Sequence, residues 1–201
     1  MLKALTITCF FLLPCLVFGQ KQVGVEQYYY WQSKQTSVVV PKLYYQSPKN
    51  WHTEFRYNYE DIQTGSIHFG KKFTLPSIGD LEIIPVAGII FGKLSGASVG
   101  TMLEVSFKNF TFSSEPQYVH SFGHSDENYL YSWSELVYDF SSSIYGGLAL
   151  QQTKPFRQPN FFEPGVVAAA NIKNFEIPFY CFNPFDANRN FVLGVNWQWQ
   201  K

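Results

Sequence analysis

The sequence predicts an all-β chain, a closed antiparallel up-and-down transmembrane β-barrel of about twelve strands, with ten as the next choice. Three observations predict it. The stretch WHTEFRYNYE, residues 51–60, alternates without a break: Trp51, Thr53, Phe55, Tyr57 and Tyr59 fall on one side, His52, Glu54, Arg56, Asn58 and Glu60 on the other. In a strand these become opposite faces, because side chains alternate with period two. Similar segments follow one another almost to the last residue, separated by turn residues. Large aromatics also stand beside the tight turns, the distribution of an interfacial girdle.

The segments run over 24–33, 37–46, 51–60, 64–74, 81–92, 98–107, 109–124, 129–140, 143–152, 164–173, 175–184 and 189–200. The first is weakly patterned. In 64–74, Ile67, Phe69 and Phe73 oppose Ser66, His68, Gly70 and Lys72. In 98–107, Val99, Thr101, Leu103, Val105 and Phe107 oppose Gly100, Met102, Glu104 and Ser106. Segment 109–124 is long. Residues 165–175, GVVAAANIKNF, have the best helix propensity in the chain and fit strand alternation as well. Segment 175–184 sets Phe175, Ile177, Phe179 and Cys181 against Glu176, Pro178 and Tyr180. Pro41, Pro85, Pro116 and Pro178 lie inside segments; each lacks a ladder donor, so bulges or strand ends are expected there. Tight turns at 47–50, 76–80, 108–109, 141–143 and 173–174 would share one end of the barrel with Trp51, Phe73, Phe107, Phe110, Phe140, Phe175, Trp197 and Trp199. Connections at 33–36, 92–97, 125–128, 154–164 and 186–189 would share the other, with the longest loop there.

Alternation alone does not separate a membrane barrel from a soluble β-sandwich, whose apolar faces converge inward. Composition favours the barrel. Aromatic residues make up 19% of the 201-residue chain and charged residues 15%, against about 25% charged in soluble domains. The polar faces are rich in Gly, Ser, Asn, Gln and Tyr rather than Lys and Glu, which suits a crowded lumen.

Residues 1–19 read as a secretory signal peptide: Lys3, then the apolar run ALTITCFFLLPCLVF, then Val17 and Gly19 at the −3 and −1 positions of a cleavage site. Residues 20–201 form the barrel domain. Cys9 and Cys15 leave with the signal, so Cys181 has no intrachain partner. A barrel meets the lack of a disulfide by pairing every strand. With 15 basic and 15 acidic residues the chain gives no electrostatic support for a nucleic-acid partner.

The last strand, NFVLGVNWQWQ, carries Gly194 with large apolar residues at +3 and +5, Trp197 and Trp199. It resembles the C-terminal assembly signal of bacterial outer-membrane β-barrel proteins. It departs from it in having Val192 two residues before the glycine, and in Gln200 and Lys201 after the last aromatic. The resemblance is one of architecture and reaches no single family. It implies an outer-membrane location, contact with outer-membrane lipid, and recognition by the barrel-assembly machinery.

The expected lumen-lining residues are Glu54, Arg56, Glu60, Lys72, Glu104 and Glu135. They suit either a small passive channel for polar solutes or a structural envelope protein whose interior is cross-linked by its own side chains. Acids outnumber bases on the inward faces, so an open passage would favour cations. Two other readings stay open: a secreted soluble β-sandwich or lipocalin-like binding protein, and an outer-membrane lipid-modifying hydrolase. The hydrolase would draw on YVHSFGHSDEN, residues 118–128. His120 and Ser121, adjacent on a strand, point to opposite faces, whereas His124, Ser125 and Asp126 sit at a loop edge. Four histidines without a cysteine pair suggest no metal, and nothing implies a cofactor. In the loop at 154–163, Phe156, Phe161 and Phe162 could fold into the mouth or meet a partner.

Overall fold

The computed structural model describes residues 22–32, 37–75, 80–187 and 189–200. The expected signal peptide lies outside them. The strands are β1 (Gln22–Gln32), β2 (Val38–Gln46), β3 (Trp51–Tyr57), β4 (Thr64–Lys71), β5 (Phe73–Leu75), β6 (Leu81–Gly92), β7 (Gly96–Phe107), β8 (Phe110–Ser121), β9 (Tyr129–Ser141), β10 (Ile144–Pro155), β11 (Phe161–Ile172), β12 (Phe175–Phe182) and β13 (Asn190–Gln200). Each pairs antiparallel with its neighbours, and β1 pairs β13 over its whole length, closing the sheet.

The thirteenth strand is a continuation. Gly70 of β4 opposes Val86 and Phe73 of β5 opposes Ile83, so one register runs through both. The interruption faces Pro85, which has no N–H to give, and there the Lys72 amide donates to the Asn50 carbonyl at 2.8 Å. Counted so, the barrel has the expected twelve strands.

Two of the four prolines depart from expectation. At Pro116 the β7–β8 ladder skips from Gly100–Gln117 to Leu103–Ser114, and at Pro178 the β12–β13 ladder skips from Glu176–Asn196 to Phe179–Leu193. Both gaps keep the register, so no bulge forms. Pro41 and Pro85 mark ladder ends, as expected: β2–β3 pairing begins at Lys42–Arg56, and β4–β6 pairing stops at Gly70–Val86. The register shift at Ile144–Tyr145 lies beside the β9–β10 turn instead. The helix-prone stretch at 165–175 is strand and turn, because β11 is paired on both edges and pairing overrides propensity.

Leu43, Phe55, Ile89, Val99, Leu136 and Leu148 are exposed on the outer face. At the tight-turn end Trp51, Phe73, Phe107, Phe110, Phe140 and Phe175 are all exposed, the expected girdle. Lys71 and Lys108 hold their ammonium groups 5.1 Å from the Trp51 ring and 5.3 Å from the Phe107 ring. The sequence reading did not foresee a second ring at the other end, where Trp31, Tyr57, Phe91, Phe122 and Phe162 are exposed. Pairing of Thr153 with Phe161 shortens the 154–163 loop; Phe156, Phe161 and Phe162 are all exposed, Phe162 on the outer face and Phe161 at the rim on the face of Thr153, which lines the mouth.

Candidate functional site: a partitioned polar lumen

Residues of the opposite parity meet inside. Strands β2, β3 and β4 supply a charged wall. Lys42, Glu54, Arg56 and His68 are all buried there, Glu54 at 1% and Arg56 at 2% exposure. Charges at such depth persist only when paired, and these are. Arg56 contacts the Glu54 carboxylate, donates to Gln117 Oε1 at 2.7 Å and lies 3.7 Å from Glu60. Lys42 Nζ is shared by Glu26 at 3.3 Å, Glu115 at 3.6 Å and Glu54 at 3.8 Å. His68 Nε2 and Ser98 Oγ are 2.6 Å apart.

Strands β9 to β13 and β1 supply an aromatic wall. Trp133 packs edge-on against Tyr180 at 5.0 Å and Phe182 at 5.3 Å, and Tyr28 lies 6.1 Å from it. Glu135 is set into this wall, accepting from Trp133 Nε1 at 2.5 Å and from the Tyr180 hydroxyl at 2.9 Å.

The β3–β4 connection bends inward between the walls. Alternation places Tyr59 outside with Tyr57. The chain leaves the strand at Tyr57, and Asn58 takes φ 58°. That left-handed step breaks the alternation, and Tyr59 turns into the lumen. Its ring sits 4.3 Å from the Arg56 guanidinium and meets Tyr131 edge-on at 6.0 Å; its hydroxyl donates to Glu115 at 3.4 Å. Glu60 follows it inward. Its carboxylate accepts from Ser66 at 2.8 Å and Gln117 at 3.3 Å, while its carbonyl accepts from Tyr129 at 2.8 Å. The Asn58 side chain ties the connection to the Val39 carbonyl at 3.0 Å.

Cavities follow one another along the lumen. At the turn end two adjoining spaces of about 590 Å³ each share Glu26, Tyr44, Glu104, Gln198 and Gln200 and make one vestibule. A waist of about 70 Å³ comes next, lined by Glu26, Tyr28, Tyr30, Lys42, Tyr59, Ser113, Glu115, Trp133 and Glu135. A cavity of about 370 Å³ opens at the loop end, between Tyr59, Gln117, Glu127 and Tyr131.

Of the six expected lumen residues, the structure gathers Glu54, Arg56 and Glu60 in the charged wall. Lys72 pairs with Glu82 in the vestibule, where Glu104 stands directly across from Glu82 on the next strand. Glu135 is on the aromatic wall. The sequence reading missed Lys42 and Tyr59. Lys42 was within reach, because hairpin register sets it opposite Glu26 on one side and Arg56 on the other. In the last strand Gly194 points inward against Pro178 and Tyr28, while Trp199 is exposed. The residues of the hydrolase reading do not converge: His120 and His124 are exposed, Ser125 begins a short exposed 3-10 turn, and Ser121 donates to Glu127 at 2.6 Å.

A closed barrel with apolar flanks, two aromatic girdles and a charged interior has the build of a membrane-spanning β-barrel protein. No family model and no curated sequence matches this chain. Among solved structures, a KdgM porin is similar at TM-score 0.63 and 10% identity, over 87% of this chain and 98% of that one. A KdgM porin in complex with disordered oligogalacturonate is similar at TM-score 0.62 and 10% identity, over 89% and 99%. At that identity the likeness is one of fold.

Proposed function

We propose that the protein is a passive channel of a bacterial outer membrane that conducts small polar solutes, cations ahead of anions. The observation that carries this reading is the file of cavities along the barrel axis, vestibule to waist to mouth, each lined by carboxylates. The fold shared with a porin supports it. In this reading residues 1–19 direct export and are removed, and the barrel-assembly machinery recognises Gly194, Trp197 and Trp199. Outer-membrane lipid covers the apolar flanks. The protein does no chemistry on what it passes.

Charge sets the solute class. Oligogalacturonate is a chain of carboxylates. Here Glu26, Glu54, Glu60, Glu82, Glu104 and Glu115 face the lumen against Lys42, Arg56 and Lys72. Lys42, Arg56 and Lys72 are each already bound to an acid, and at the vestibule rim Lys173 adds one base and Glu176 one acid, so the surplus is negative. An anion entering the waist meets like charge in a confined space, where fields are weakly screened. Small cations and neutral polar molecules fit this interior.

The test is conductance of the purified protein in planar bilayers under a salt gradient. The expected result is discrete conductance with a zero-current potential of the cation-selective sign. No conductance, or an anion-selective potential, would overturn the reading.

A further inference from the structure

We propose that Tyr59 is the gate of the passage, held shut by a closed ring of side chains; this rests on the channel reading above. Tyr59 lines both the 70 Å³ waist and the 370 Å³ mouth, and among the described residues no other side chain borders both. Its ring is therefore the partition between them. The vestibule and the waist, by contrast, share four lining residues, Glu26, Lys42, Ser113 and Glu115.

The partition is latched from two directions. Arg56 lies over the Tyr59 ring at 4.3 Å and Glu115 accepts from its hydroxyl at 3.4 Å. Glu115 leads to Lys42 at 3.6 Å, Lys42 to Glu54 at 3.8 Å, and Glu54 back to Arg56. The five side chains close a circuit across the waist. A cationic solute in the waist meets Glu115 and Glu26, the same carboxylates that hold Lys42. Competing for them loosens the hydroxyl's anchor. The solute class that charge admits is thus the class that acts on the latch. The residues on either side of this ring are held, Asn58 by its side chain on the Val39 carbonyl and Glu60 by Ser66 on its carboxylate and Tyr129 on its carbonyl, so the ring can swing while its base stays fixed.

Single-channel recording in planar bilayers tests this with wild type, Tyr59→Ala, Glu115→Gln and the lipid-facing control Tyr57→Ala. Correct folding is checked by the gel-mobility shift on boiling. Tyr59→Ala is expected to raise unitary conductance several-fold by merging waist and mouth, with Tyr57→Ala at the wild-type value. Glu115→Gln is expected to lengthen the open dwell times, because the ring remains but its anchor is weaker. Wild-type conductance in Tyr59→Ala overturns the gate and leaves the channel standing. Absence of conductance in every variant overturns both. Should Tyr59→Ala fail to fold, Glu115→Gln decides alone, and unchanged dwell times overturn the gate.

Discussion

Replacing Arg56 with leucine exposes how the interior is held together. Arg56 is 2% exposed, and its guanidinium serves the Glu54 carboxylate, Gln117 at 2.7 Å, Glu60 at 3.7 Å and the Tyr59 ring at 4.3 Å. Leucine fills part of the volume and satisfies none of these groups. Glu54, 1% exposed, then keeps only His52 at 3.5 Å, His68 at 3.8 Å and a share of Lys42 at 3.8 Å. Breaking a buried pair by removing one partner costs about 3–5 kcal/mol, mostly from the charge left behind. At about 1.4 kcal/mol per tenfold, the folding equilibrium falls by two to four decades. Equilibrium urea unfolding in lipid vesicles, read by the boiling-sensitive gel shift, measures it. The double variant Glu54→Gln, Arg56→Leu removes the stranded charge and leaves Lys42 with Glu26 and Glu115. It is expected to be more stable than Arg56→Leu alone. A cost for Arg56→Leu below about 1 kcal/mol, the range of exposed ion pairs, would refute the reasoning, because Glu54 would then be well hydrated and the wall not packed.

Other perturbations follow from the same placement. Leu43→Arg, on the lipid face near mid-strand and 48% exposed, is expected to cost about 2–4 kcal/mol in vesicle refolding, while Met102→Arg in the vestibule is expected to cost less. Gly88→Val places a carbon where a Cβ would lie 2.3 Å from the His68 ring. It is expected to break the His68–Ser98 contact and destabilise the barrel by about 1–3 kcal/mol in the same assay. Glu104→Lys reverses one vestibule charge opposite Glu82 and is expected to lower the cation-to-anion permeability ratio at a zero-current measurement, with unfolding unchanged.

Much of the barrel was legible in the sequence because one face of nearly every strand carries side chains of one kind. Glu54 and Arg56 are inside because their neighbours Phe55 and Tyr57 are outside, and the period of two holds through WHTEFRY. Where it failed, a specific local event broke the period. Tyr59 was misplaced because a single left-handed residue, Asn58, breaks the alternation after β3, a step that asparagine tolerates and that a period of two does not register. Trp133, Tyr180 and Phe182 face inward because a twelve-strand barrel has room for rings on both sides of its wall, so ring size alone did not tell the faces apart. The prolines raised an expectation of bulges or strand ends; Pro41 and Pro85 do end ladders, whereas Pro116 and Pro178 cost only local ladder bonds, since the flanking pairs hold the register.

The claim beneath all of this is that rings and aliphatic groups face hydrocarbon while ionised groups are enclosed. A spin-label scan along β7, in a Cys181→Ser background and reconstituted in lipid, tests it most directly. Labels at positions 99, 101, 103 and 105 should collide with oxygen dissolved in the bilayer, and labels at 100, 102, 104 and 106 with a water-soluble nickel chelate, alternating along β7 (Gly96–Phe107). The opposite phase, or nickel access on both faces, would contradict it.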